Sequence, residues 1–232
     1  MKGLQVKIAI SFNPMRLTRR PPRKDPLNAP VAGAEIPRWG NGLTRKIARG
    51  IMRLLGWRFA GSIPNLPKMV IIGVPHTSNW DFPLVMVLLI ALQVKVYWLG
   101  KHTFVNGPLK PLLRWLGGVA VDRRAAFGVV GQTVEMFQQR EQFLLGLAPE
   151  GTRSLVPHWK MGFFFIAQAA NVPIVPIALD YGRKTIGIGE PIWPEVGETA
   201  VLAQLRTFYE GVQGKYPHQF SVESIQPRLR NG

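Results

Sequence analysis

Between residues 69 and 212, short β-branched runs alternate with stretches of helical period, and no other feature restricts the possible folds as much. Residues 69–74, 94–99, 119–121, 143–147, 173–179 and 185–188 read as strands. Residues 79–92, 108–116, 127–140, 162–170 and 199–212 read as the helices between and after them, the second opening on Pro108. Strands separated by helices pair side by side with the helices on the sheet faces. The expected fold is therefore one α/β domain with a mixed or mostly parallel sheet flanked by helices. A chain of 232 residues, 47% hydrophobic and 18% charged, has the core to fold without staples, and disorder of the whole chain is excluded. It contains no cysteine, which removes disulfides, thiolate metal sites and a cysteine acyl-enzyme.

Ahead of the alternation the composition changes. Residues 1–37 carry Pro14, Pro21, Pro22, Pro26, Pro30 and Pro37 with a basic run over 16–24, which predicts a flexible tail. Residues 38–60 predict an N-terminal basic amphipathic helix: Ile47, Ile51, Leu54 and Leu55 share a face, and Arg45, Arg49 and Arg53 form a second stripe. Lys46 and Arg58 add charge, and Trp57 and Phe59 follow. Such a helix suits a lipid headgroup interface or packs its apolar face on the domain, and both readings stay open. Residues 216–232 are expected as a C-terminal tail. A spanning helix needs about 20 apolar residues. The nearest stretches are 82–94, which is too short, and 161–179, which Asn171, Pro173 and Pro176 interrupt. No spanning helix is expected, and no signal peptide, because the apolar run at 8–12 has no cleavage site after it.

Charge points to a polyanionic partner. There are 29 Lys and Arg against 13 Asp and Glu, a formal net of +16. Residues 1–60 hold 13 of the basic and 2 of the acidic residues, so most of the excess precedes the alternating region. No nucleic-acid recognition module is present, and an anionic membrane surface is the expected partner rather than nucleic acid.

Two segments could do chemistry. H-T-S-N-W-D at 76–81 follows a strand and Pro75. On a continuous helix His76 and Asp81 would sit about 500° apart, so His76 belongs in the turn before the helix, with Thr77 or Ser78 as N-cap. From there the imidazole can fold back onto the carboxylate, which fixes the tautomer and frees the other nitrogen as a base. A structural His–Asp hydrogen bond is the competing reading. A-P-E-G-T-R-S at 148–154 also ends a strand: Gly151 permits a tight turn whose amides face an anion, and Arg153 offers a fork of donors. A plain turn with a Glu150–Arg153 ion pair competes with that. Lys101, and Asp122, Arg123 and Arg124 after G-G-V-A-V, are either convergent anion binders or solvated loop charges. Lys160 and Gly162 precede V-P-I-V-P-I at 172–177, whose prolines predict an edge or irregular strand.

Taken in order, these segments resemble the four sequence blocks of the lysophosphatidate and glycerol-phosphate acyltransferases: H-T-S-N-W-D, V-A-V-D-R, P-E-G-T-R-S and V-P-I-V-P-I, covering residues 69–180. Pro75 and Ala148 depart from the residues frequent at those places. The resemblance implies transfer of a fatty acyl group from an acyl-CoA or acyl carrier protein thioester to the free hydroxyl of a lysophospholipid, 1-acyl-glycerol-3-phosphate first. Another lysolipid headgroup is the alternative within that chemistry. A non-catalytic basic membrane-surface or nucleic-acid-binding protein is the alternative outside it. The resemblance assigns His76 as general base oriented by Asp81, and Lys101, Arg123, Glu150, Gly151, Thr152 and Arg153 to substrate binding, with Glu150 and the Gly151 turn holding Arg153. Ser78 as an acyl-carrying nucleophile is a variant. No metal and no cofactor is expected beyond the thioester co-substrate. An acyltransferase domain over 61–215, attached peripherally to the cytoplasmic face of a membrane, completes the expectation.

Overall fold

The computed structural model describes residues 27–122 and 128–226. Its elements in chain order are α1 (Gly42–Leu55), β1 (Arg58–Ala60), β2 (Lys68–Val74), α2 (Asp81–Leu92), β3 (Tyr97–Lys101), α3 (His102–Val105), α4 (Lys110–Trp115) and β4 (Gly118–Val121), followed by α5 (Gly128–Gln139), β5 (Phe143–Leu147), α6 (Gly162–Ala170), β6 (Ile174–Asp180), β7 (Thr185–Ile188) and α7 (Glu198–Tyr209). The strands form one sheet in the order β1-β7-β6-β2-β5-β3-β4. The five from β6 to β4 are parallel, while β7 runs antiparallel to β6 and β1 parallel to β7.

A parallel sheet must be covered on both faces. One face lies under α1 and α2, where Met69, Leu84, Leu89 and Leu144 pack. Across the sheet, Ile72, Phe143, Leu145, Phe163 and Leu205 pack beneath α5 to α7. Helix α2 has no charge after Asp81, and its apolar residues are sandwiched between α1 and the sheet, which suits a helix hydrophobic on all sides. At the end of α7, the buried Tyr209 donates its hydroxyl to Ile72 O at 2.9 Å, fastening that helix to β2.

Three expectations change, and one open alternative closes. Residues 27–37 are part of the packed domain: Leu27, Ala32 and Ile36 are buried, and Leu27 O accepts the Phe59 N–H. At the other end Ile225 is buried and Ser224 O accepts the Trp159 N–H, so the packed chain continues well past 216. Helix α1 exists, opened by an Asn41–Thr44 capping box and closed by Gly56 in the left-handed conformation. Only Ala48 and Met52 are buried on it, whereas Leu43, Ile47, Ile51, Leu54 and Leu55 face outward, Leu54 at 88% exposure. Finally β6 is interior, not an edge. Pro176 is accommodated because the pairing shifts by one residue between Ile177–Ile188 and the Ile174–Ile192 bridge, so the missing N–H falls at a bulge.

Candidate active site

The parallel strands end together, and the segments singled out by sequence leave the sheet at this edge, where α/β sheets place ligands. From β2 the chain passes through Pro75 and His76 and enters α2 at Asp81. The turn between them is organised by Asp81 itself rather than by Thr77 or Ser78 as N-cap: its Oδ2 accepts the N–H groups of Thr77 and Ser78, each at 2.8 Å. Ser78 Oγ accepts the Trp80 N–H at 3.1 Å. Across the sheet edge, Tyr181 donates its hydroxyl to Asp81 Oδ1 at 2.5 Å. His76 Nδ1 lies 3.2 Å from Asp81 Oδ2.

Asp81 is 1% exposed. Burial pushes its carboxyl up, but hydrogen bonds from His76, Tyr181 and the Ser78 N–H outweigh that and hold it below the usual carboxylate range. A carboxylate facing Nδ1 places the ring proton there and leaves Nε2 with its lone pair. The His76 side chain is 30% exposed.

Glu150 lies beneath the same histidine. It is 4% exposed, and its carboxylate accepts the His76 N–H at 3.0 Å through Oε2 and 3.3 Å through Oε1. Burial pushes it up to about 7, with the His76 N–H and ring pulling it partly back. The expected Glu150–Arg153 pairing does not form: ion pairs among the described residues do not join them, and Glu150 holds the backbone of His76 instead. Thr152 and Arg153 lie on an exposed turn. The 217–219 turn fastens the two loops, because Gln219, with its amide turned to donate, bonds Arg153 O at 2.7 Å and Thr77 O at 2.8 Å. The Tyr216 N–H adds a bond to Thr77 Oγ1 at 3.3 Å.

A cavity of about 670 Å³ lies between α2 and the sheet and extends to residues of α5 and α6. Its walls are mostly aliphatic and aromatic, among them Ile71, Val85, Leu89, Leu144 and Phe163. His76 and Asp81 line it together with Gly151 and Lys160. Lys101, Thr152, Arg153 and Ser78 do not line it, and Arg123 lies outside the described residues. Buried Ser78, committed to Trp80, is poorly placed to carry an acyl group. No group of three or more His, Asp or Glu able to hold a metal ion occurs among the described residues. Tyr181 escaped the sequence reading. The only signal for it was its place after the fourth block, where β6 ends.

The family profile described as Acyltransferase matches residues 58–180, just over half of the chain. The 1-acyl-sn-glycerol-3-phosphate acyltransferase of Escherichia coli is 32% identical over 121 residues, covering 49% of this chain and 47% of that protein. The Salmonella typhimurium protein of the same name is 29% identical over the same length and coverage. The chain thus spans about half the length of the curated relatives it matches. Among solved structures, the 1-acyl-sn-glycerophosphate (LPA) acyltransferase PlsC from Thermotoga maritima superposes with a TM-score of 0.50 at 20% identity, over 73% of this chain and 75% of that one, a likeness of fold. The matched region contains β1 to β6 and both His76 and Glu150, and on that match the chain belongs to the Acyltransferase family.

Proposed function

We propose that this protein transfers a fatty acyl group from an acyl-CoA or acyl carrier protein thioester to the free hydroxyl of a lysophospholipid, 1-acyl-glycerol-3-phosphate first. The observation that carries the proposal is a His–Asp pair at the mouth of an apolar cavity of about 670 Å³. The cavity takes the acyl chain and leaves the thioester carbonyl near His76. Nε2 takes the acceptor hydroxyl proton while that oxygen attacks the carbonyl carbon. The C–S bond then breaks, and the proton passes from Nε2 to the departing thiolate, whose parent thiol has a pKa of about 8.5. Asp81 holds the imidazolium through the step. The names of the curated relatives support the choice of acceptor.

The protein is expected to sit peripherally at the cytoplasmic face of a membrane. Exposed Leu43, Ile47, Ile51 and Leu54 on α1, flanked by Arg45, Lys46, Arg49 and Arg53, support that placement. Phe104, Leu109, Leu112 and Trp115 on and around α3 and α4 form a second exposed apolar group, and Trp115 meets Trp39 at 5.0 Å just ahead of α1. Among the described residues no helix is long and apolar enough to cross a membrane. Labelled acyl-CoA and acyl carrier protein offered with a panel of lysolipids test the proposal. Acylated 1-acyl-glycerol-3-phosphate is the expected product, and no acylated product from any acceptor would contradict it.

A further inference from the structure

The two oxygens of Asp81 are served from different parts of the fold. Oδ2 accepts the Thr77 and Ser78 N–H groups and faces His76 Nδ1, all within one short turn. Oδ1 takes the Tyr181 hydroxyl, its one donor among the described residues. Tyr181 follows β6, and its turn is pinned: its N–H donates to Gln213 O at 2.8 Å, and the buried Asp180 accepts the Arg183 N–H at 3.1 Å and the guanidinium at 2.6 Å. The Trp57 ring, two residues past α1, meets the Tyr181 ring edge-on at 5.0 Å. Lys184 Nζ donates to Leu55 O at 3.0 Å, which ties the same turn to the end of that helix.

Packing alone does not account for a tyrosine at this place. Its ring lies against the core cluster under α1 and α2, a contact that phenylalanine would make equally well. A hydroxyl beside a carboxylate that is 1% exposed must also be desolvated, which costs free energy unless the bond it makes offsets it. Burial and the Asp81 charge push the Tyr181 hydroxyl well above the ordinary phenol range, so it stays a donor through neutral pH. Tyr181 does not line the cavity, and its route to the chemistry therefore runs through Asp81.

We infer that Tyr181 is a positioning residue for the acyl transfer, its hydroxyl holding the Asp81 carboxylate in place against His76 and taking up part of its charge. The catalytic consequence rests on the acyl-transfer reading above. An Oδ1 without its donor frees the carboxylate to turn away from the ring, which slows proton transfer, and concentrates negative charge on the oxygen facing Nδ1, which favours the charged imidazolium. The other charged groups on the elements around the pair are Glu150, Arg153 and Lys160 from the segment between β5 and α6, and Lys215, whose ammonium stands over the Trp80 ring at 5.2 Å. All of them remain in a Tyr181→Phe variant, which removes one oxygen and keeps the ring.

Tyr181→Phe in the full chain, read in two ways, decides the matter. NMR titration of the His76 ring, identified among the four histidines by the signal that His76→Ala lacks, is expected to show the ring titrating at higher pH than in wild type. With acyl-CoA and 1-acyl-glycerol-3-phosphate, kcat is expected to fall roughly 10-fold, the order of one charged hydrogen bond, while KM for both substrates stays where it was. A His76 titration identical to wild type overturns the inference whatever the kinetics, because a merely structural tyrosine moves the unfolding midpoint and not that titration. An unchanged kcat, or a raised KM with kcat intact, overturns it too and leaves the acyl-transfer reading standing. Wild-type protein that acylates no acceptor, with the titration still shifted in the variant, overturns the acyl-transfer reading and leaves the coupling of Tyr181 to His76 in place.

Discussion

Asp81 is held by more donors than its role as a partner of His76 requires. Two backbone N–H groups and the Tyr181 hydroxyl fix both oxygens before the imidazole is counted. Charged hydrogen bonds of about 1.5–3 kcal/mol each offset the desolvation of a buried carboxylate, so the ring faces a rigid, ionised partner. The His76–Asp81 pair was legible in the sequence because one short turn contains both residues. Tyr181 was not, since its bond to Asp81 crosses the fold between residues 100 positions apart. Glu150 makes a test at this scale. Its folded-state pKa of about 7 exceeds the ordinary 4.5, so the native protein binds the extra proton, and stability contributed below about 4.5 is lost as pH rises through 7. The loss amounts to about 3 kcal/mol at 1.36 kcal/mol per pKa unit. Glu150→Gln, which still accepts the His76 N–H, is expected to flatten that slope. Thermal unfolding midpoints measured across the window should show the variant gaining on wild type as pH rises, and parallel profiles would contradict the buried titration.

At the level of elements, period and punctuation carried most of the fold. Strands β2, β5, β6 and β7 lie within a residue or two of where β-branched runs predict them, and α6 lies at its predicted bounds. What pattern could not supply was pairing: the three-residue β1 is a strand only because β7 lies beside it, and Pro176 sits mid-sheet only because β7 bulges away from it. The cavity was equally hidden, since it is a gap between the sheet and the helices α2, α5 and α6 and has no sequence signature. Part of that gap is set by Gly73 on β2, where a methyl group would meet only Leu179 Cδ1, at 3.9 Å. Gly73→Leu is therefore expected to fill the channel below His76 and cut turnover of long-chain acyl-CoA tenfold or more while short-chain acyl-CoA is spared. A chain-length series measures this, and equal losses at every length would contradict an acyl chain lying along β2.

Over the whole molecule, charge and exposed apolar surface coincide. Between Glu35 and Asp122 the only acidic residue is Asp81, and it is buried, against 11 Lys and Arg. That stretch carries the outward face of α1 and the exposed group around α4, a combination suited to anionic lipid. The sequence showed the basic amphipathic helix but not which face was left bare, because Ala48 and Met52, not the larger aliphatics, meet α2. Truncating residues 1–60 would remove buried Leu27, Met52 and Phe59, so substitution is the cleaner test. Ile47→Glu with Leu54→Glu is expected to lower binding to phosphatidylglycerol vesicles more than tenfold without lowering the unfolding midpoint, and unchanged sedimentation with vesicles would exclude α1 as the docking face. In the proposed function docking brings the acceptor to the site, and the chemistry rests on one imidazole. The most direct test is acyl transfer from labelled acyl-CoA to 1-acyl-glycerol-3-phosphate by His76→Ala beside wild type: a loss of 10³-fold or more on the order of other general-base deletions, with vesicle binding and unfolding midpoint intact, is expected, and turnover equal to wild type would contradict His76 as the base.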